Sequence, residues 1–182
     1  MKREITKISR QSGLGIVGVV LAIIIILIIA SIGIHLYTTS TGKLNVGRAG
    51  IRLTQMIATT QKRFQDQGNF AGVSAQVLID NAIPDKSMIQ GGKLVNAWNQ
   101  QVTVNPYSLN ASNDAVEFVE PGVPADTCAA YVDAAGGSAV RILVGGTTVK
   151  DLPNGVSLNP AALGSACAGS GNKTIHFIAG RL

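Results

Sequence analysis

The side chains best suited to chemistry in this chain are two cysteines and two histidines, and their placement restricts what they can do. Cys128 and Cys167 are its only thiols and allow one intramolecular disulfide. The loop so closed would hold about 40 residues, worth roughly 4 kcal/mol of chain entropy. The alternative is two separate buried thiols. His35 and His176 stand far apart in the sequence, and there is no C-x-x-C pair, so no metal-ligand spacing is present. Neither G-x-S-x-G nor G-x-x-x-x-G-K-[ST] occurs, and Gly145-Gly146 reads as a tight turn rather than a phosphate cradle. Asp126, Asp133 and Asp151 read as solvated surface carboxylates, and His176, within an apolar strand, as a packed or edge residue. Trp98 reads as the core anchor of a hairpin. The residues thus point to a non-enzymatic protein with no cofactor and no metal.

The elements that position these residues begin with an unusual amino-terminal segment. The head MKREITKISRQSG carries Lys2, Arg3, Lys7 and Arg10 against Glu4. From Leu14 to Ile34 no residue is charged, and those 21 residues would span roughly 31 Å as a helix, about one bilayer core. The basic head should stay in the cytoplasm and the remainder be exported. Export places both cysteines where disulfides form, which favours the bond. Three readings compete for the segment. A cleaved secretory signal fits poorly, because the apolar run is long and Ala30-Ser31-Ile32 is a weak cleavage site. A permanent anchor fits its length and charge. A basic leader removed at a glycine, leaving the apolar helix in place, fits the position of Gly13 before Leu14.

Composition limits the partners. Without residues 1–13 the net charge falls from +5 to +2, so the high isoelectric point belongs largely to the head. No basic cluster interleaved with aromatics remains, which argues against nucleic acid. Charged residues are 14% and aromatics 4%, which suits a loop-rich, surface-exposed domain better than a catalytic one.

Helix is expected to continue past the apolar run. Val46, Ala49, Leu53, Ile57, Thr60 and Phe64 step by 3, 4, 4, 3 and 4, with Ile51 and Met56 broadening this face. Lys43, Arg48, Arg52, Lys62 and Arg63 mark the opposite side. Gly42, Gly47 and Gly50 each weaken helix by about 1 kcal/mol, so a bend or softening is expected over 40–50. Gln67-Gly68 should end the helix. Beyond it the pattern predicts a short helix over Ser74–Asp80 with Ser74 as cap, then a broken hairpin through Gly91–Val104. A strand is predicted over Ala115–Glu120, with Val116, Phe118 and Glu120 sharing a face. A helix capped by Asp126 follows over Pro124–Ala135, then strands over Ala139–Val144 and Thr147–Lys150. A helix capped by Asn159 and a last strand over Lys173–Ile178 close the pattern.

The junction QSG-LGIVGVVLAIIII resembles that of type IV prepilins. Leu14 in first mature position, and the absence of proline before Pro84, are closer to the type IVb group than to type IVa. Ala82-Ile83-Pro84-Asp85, Asn96-Ala97-Trp98, Thr127-Cys128-Ala129, Ala166-Cys167 and the terminal Thr174-Ile175-His176-Phe177 follow the order of pieces in bundle-forming and PilS-like pilins. The resemblance implies peptidase cleavage between Gly13 and Leu14, and a disulfide between Cys128 and Cys167 enclosing the family's variable region. It departs at one place: pilins carry glutamate at the fifth mature position, where this chain has Gly18, or Val20 if cleavage follows Gly15. Leu14, Gly15, Gly18 and Ala22 would then form an assembly helix, Gly18-x-x-x-Ala22 allowing close helix approach.

The expected fold is α+β: a long N-terminal α-helix, apolar then amphipathic, packed on a C-terminal globular head with an antiparallel β-sheet and short helices. The expected organisation is a leader at 1–13, an apolar membrane or filament-core helix at 14–38, its amphipathic continuation at 39–67 and the head at 68–182. The expected function is that of a structural subunit of an extracellular type IVb-like pilus serving adhesion, aggregation or conjugation. Expected partners are further copies of itself, a prepilin peptidase, the assembly machinery, the inner membrane before assembly, and a host or bacterial surface receptor. The alternatives are a minor or tip pilin, a pseudopilin, or a monomeric membrane-anchored binding domain.

Overall fold

A computed structural model describes residues 16–180, with side chains at 18–21, 23–28 and 45–180. The chain divides into two units at Thr41–Gly42. Helix α1, Ile16–Phe64, gives the first unit its described residues and opens the second. Helical assignment is uninterrupted across 40–50, so the three glycines there do not end it. A 3₁₀ turn, Gln65–Gln67, follows, and Gly68 at φ +79° stops the helix in a left-handed conformation that only glycine adopts without strain.

In the second unit, α1 presents the predicted stripe. Val46, Ala49, Leu53, Met56, Ile57, Thr60 and Phe64 are all buried. Ile51 is the exception at 56% exposed: it lies off the stripe, and Met56 alone widens it. Gly50 has a packing role. A Cβ there would stand 2.5 Å from the Ala134 Cβ, so the missing side chain lets helix α3, Ala125–Ala135, approach α1 closely.

The remaining elements are helix α2 (Ala75–Asp80), the short strands β1 (Ile89–Gln90) and β2 (Lys93–Leu94), β3 (Thr103–Tyr107), β4 (Ala115–Pro124), β5 (Arg141–Val144), β6 (Thr147–Asp151), helix α4 (Pro160–Cys167) and β7 (Asn172–Gly180). Five strands form one antiparallel sheet in the order β3-β4-β7-β5-β6. The last strand thus lies at the centre of the sheet. Val104, Phe118, Phe177 and Ile142 lie in register across β3, β4, β7 and β5. All four join one buried cluster with the α1 stripe and with Cys128, Tyr131 and Val132 of α3. The expected α+β architecture is the observed one.

Local chemistry explains the boundaries. Ser74 accepts from the Val77 amide to start α2. Asn159 accepts from the Ala161 and Ala162 amides, with Pro160 opening α4. Asp126 does not cap α3: Pro124 occupies that position without a side-chain cap, and Asp126 sits exposed in the first turn. Gly91-Gly92 and Gly145-Gly146 have positive φ throughout, the geometry of tight hairpin turns.

Candidate functional site

The surface that most needs a partner is the apolar part of α1. From Val19 to Leu27 every large side chain is between 47% and 64% exposed. These residues follow one another without interruption apart from Ala22, so they cover the helix on all sides rather than along one stripe. A helix that is apolar all round is stable only when something apolar surrounds it. Its first turn holds no acid, and Gly18 is partly buried. Of the other predicted assembly and cleavage residues, Gly13, Leu14 and Gly15 lie outside the described residues, as does the side chain of Ala22. Among the described residues no helix is long and apolar enough to cross a membrane; the run Leu14–Ile34 extends beyond the side chains described.

The head is tied by one covalent link. Cys128 of α3 and Cys167 of α4 form a disulfide with Cα atoms 5.7 Å apart, and both residues are buried. The segment they enclose carries β5, β6 and a buried cation. Lys150 of β6 donates from Nζ to the Gly136 carbonyl at 2.8 Å. It thus places a positive charge just past the C-terminus of α3, where the helix dipole favours one. Burial pushes the Lys150 ammonium pKa down.

On the other face of the sheet lies a row of paired polar side chains. His176 Nδ1 and the Glu117 carboxylate are 2.9 Å apart, and Arg141 Nε is 3.1 Å from Asp151. Arg141 also reaches the Tyr107 hydroxyl at 3.4 Å, across the two intervening strands β4 and β7. Asp151 is therefore a paired, partly buried residue rather than a freely solvated one. Asp126 and Asp133 are exposed, as expected. His176 sits on the central strand, not an edge. Trp98 is half-buried and meets Tyr131 edge to face at 4.9 Å, anchoring the turn after β2 onto α3.

One polar group has no counterpart among the residues picked out for chemistry. Glu120 is fully buried beside the β4 bulge, on the same face as Val116 and Phe118. Asn96 and Tyr131 face its carboxyl, yet neither oxygen reaches full hydrogen-bond geometry. The Asn96 amide is committed elsewhere: it donates to the Pro121 carbonyl at 2.7 Å and accepts from the Trp98 and Gln100 amides. Burial pushes the Glu120 carboxyl up to about 7, which Asn96 and Tyr131 only partly oppose. The Tyr131 hydroxyl is pushed well above its usual range by burial and by Glu120 beside it. The strand alternation of the sequence already placed Glu120 on the apolar face, and that was the signal available.

A family model described as PilS N terminal matches residues 45–180, most of the chain. The chain belongs to the PilS pilin family. Its fold is that of type IV pilins. The crystal structure of TcpA, a type IV pilin from Vibrio cholerae El Tor biotype, is similar at a TM-score of 0.57 and 16% identity, over 74% of this chain and 98% of that one. The type IVb pilin from Salmonella typhi is similar at a TM-score of 0.53 and 18% identity, over 70% of this chain and 95% of that one. No curated protein matches the sequence. The resemblance to type IVb pilins, carried by scattered short motifs, holds for family and fold. Among its described residues the PilS-family head carries an Arg141–Asp151 ion pair, a His176–Glu117 contact and a disulfide.

Proposed function

We propose that this PilS-family pilin is a subunit of an extracellular type IVb-like filament, assembled through its N-terminal helix. The observation that carries the reading is the all-round exposure of Val19–Leu27. Burying a Val, Leu or Ile side chain against an apolar neighbour is worth about 1.5–3 kcal/mol, so a helix of this kind partitions into lipid or into a bundle of its own copies. Before assembly the lipid is the inner membrane, with the basic head 1–13 on the cytoplasmic side. Cleavage between Gly13 and Leu14 by a prepilin peptidase removes that head. The apolar segment 14–38 then exchanges lipid for neighbouring subunits, the amphipathic segment 39–67 carries the head, and residues 68–182 form the outer surface used in adhesion, aggregation or conjugation.

Mass spectrometry of the mature N-terminus in cells with a prepilin peptidase tests the processing step. A chain beginning at Leu14 is expected, and a chain still beginning at Met1 would sink the reading. Electron microscopy of sheared surface material labelled with an antibody to the head tests assembly: label along filaments is expected. A second reading, a minor or tip subunit, is favoured by Gly18, because an assembly helix without an acid lacks the charged docking pair usual in pilins. It predicts label confined to filament ends.

A further inference from the structure

The head carries two exposed, oppositely charged features that form no ion pair with each other among the described residues. The first is a groove of about 280 Å³ between the stripe's outer flank on α1 and the segment that runs from Ser87 to Asn99. Arg48 and Arg52 border it, with Asn45, Ser87, Gln90 and Asn99 completing a polar lining. The two arginines stand four residues apart, so both guanidiniums project over the same stretch of helix surface. Both residues are exposed, and neither makes a hydrogen bond or ion pair among the described residues. Arg52 does feel Asp85 electrostatically, but that carboxylate is already engaged by the Ser87 amide and hydroxyl.

The second feature is the outward face of α3. Asp126, Ala130 and Asp133 are exposed and step by 4 and 3, which places them on one face of the helix. The aspartates lie about 10 Å apart along the axis, and Ala130 between them leaves the backbone accessible to a close neighbour. Neither aspartate makes a hydrogen bond or ion pair among the described residues. Within one chain no ion pair joins these features among the described residues: α3 approaches α1 through Ala134 at Gly50, which stands two residues from each arginine and so faces the other side of α1.

We propose that the Arg48–Arg52 groove of one chain receives the Asp126–Ala130–Asp133 face of α3 from a second copy of this chain. Charge complementarity selects the occupant: two arginines over a polar groove meet two aspartates on a narrow helix face. The two surfaces differ, so the contact is heterologous. Each chain keeps one free groove and one free acidic face, and association continues from chain to chain instead of closing into a dimer. This inference rests on the filament reading, for which it supplies the lateral contact between heads.

The test uses full-length R48K/R52K chains, which keep the charge and add amines. Cells that carry pilus machinery make these chains first in nitrogen-15 medium and then, after a shift, in unlabelled medium, so that both isotopic forms are present together; they are then treated with a zero-length carbodiimide and digested. Mixed-isotope peptides joining position 48 or 52 to Asp126 or Asp133 are expected. Their absence, or mixed-isotope links from these positions only to other acids such as Asp66 or Asp80, would overturn the seam. Electron microscopy of the same cells reads the filament separately. Filaments without these links refute the seam and leave the filament reading standing; the links without filaments do the reverse. A charge-reversal series provides the second measurement. R48E/R52E and D126R/D133R should each lower sheared filament yield about tenfold or more while cellular chain levels hold. The four substitutions together should restore most of it, and failure of that rescue would count against the pairing.

Discussion

The two parts of α1 are built from the same backbone and differ in what their side chains require. Over Val19–Leu27 the large apolar side chains are about half exposed on every side of the helix. Over Val46–Phe64 one stripe is buried against the sheet and α3, while Arg48, Arg52, Lys62 and Arg63 face outward. Among the described residues the second part is buried within its own unit, and the first stays exposed. The fold of the head is therefore separable, in energetic terms, from the fate of the apolar segment, and substitutions should sort cleanly between the two.

The largest effect is expected where that separation is most exposed. Ile24→Asp places a charge in the middle of the apolar segment, at about 2.5–3.5 kcal/mol in a membrane-insertion scale. Membrane retention of the full chain should fall severely, while protease resistance of the head stays at the wild-type level. A head that became protease-sensitive would show that the two regions are coupled. Leu53→Ala makes the reverse cut. Leu53 is fully buried, so about 2–5 kcal/mol of head stability should vanish in denaturant titrations of the detergent-solubilised chain, with membrane retention unchanged.

Glu120 sharpens the picture within the head. In the fold its carboxyl holds a proton up to about pH 7, whereas the unfolded chain releases it near 4.5. The folded state therefore binds more protons between those values, and stability must fall as pH rises through that window and level off above it. The penalty is on the order of 3 kcal/mol. Denaturation midpoints of the full chain at about pH 5 and about pH 8 should differ in that direction, and Glu120→Gln should flatten the difference. An unchanged pH slope in that variant would remove Glu120 from the account.

Gly50→Ala tests close helix approach. The added methyl must displace Ala134, at a cost of about 1–3 kcal/mol, although alanine favours helix over glycine. A stabilised variant would mean that α3 yields readily. Smallest of all, Asn159→Ala removes the two amide contacts that begin α4 and should cost about 1 kcal/mol, read as a modest drop in melting temperature.

Local rules made much of the head legible from its residues. Ser74, Asn159-Pro160, Gly91-Gly92, Gly145-Gly146 and Gly68 start or stop elements through contacts and dihedrals that span only a few residues. The 3-and-4 stepping of Val46 to Phe64 predicted the buried stripe because helical geometry repeats without reference to anything else. Where that reading went wrong, it went wrong by neighbours. Ile51 is apolar yet faces out, and Asp126 has no capping role because Pro124 fills the position.

What only the tertiary structure decided are relations between distant residues. Strand pairing placed β7, last in the chain, between β4 and β5, and so made His176 a central-strand partner of Glu117, 59 residues away. It stretched Arg141 over two strands to Tyr107. Folding also enclosed Glu120 behind Asn96 and Tyr131, turning an alternation pattern into a proton-sensitive site. Gly50 looked like a defect in a helix and serves as the point where α3 meets α1. The reason is common to all four: dihedral preferences and periodicity act along the chain, whereas burial, charge pairing and close approach depend on which segments the fold brings together.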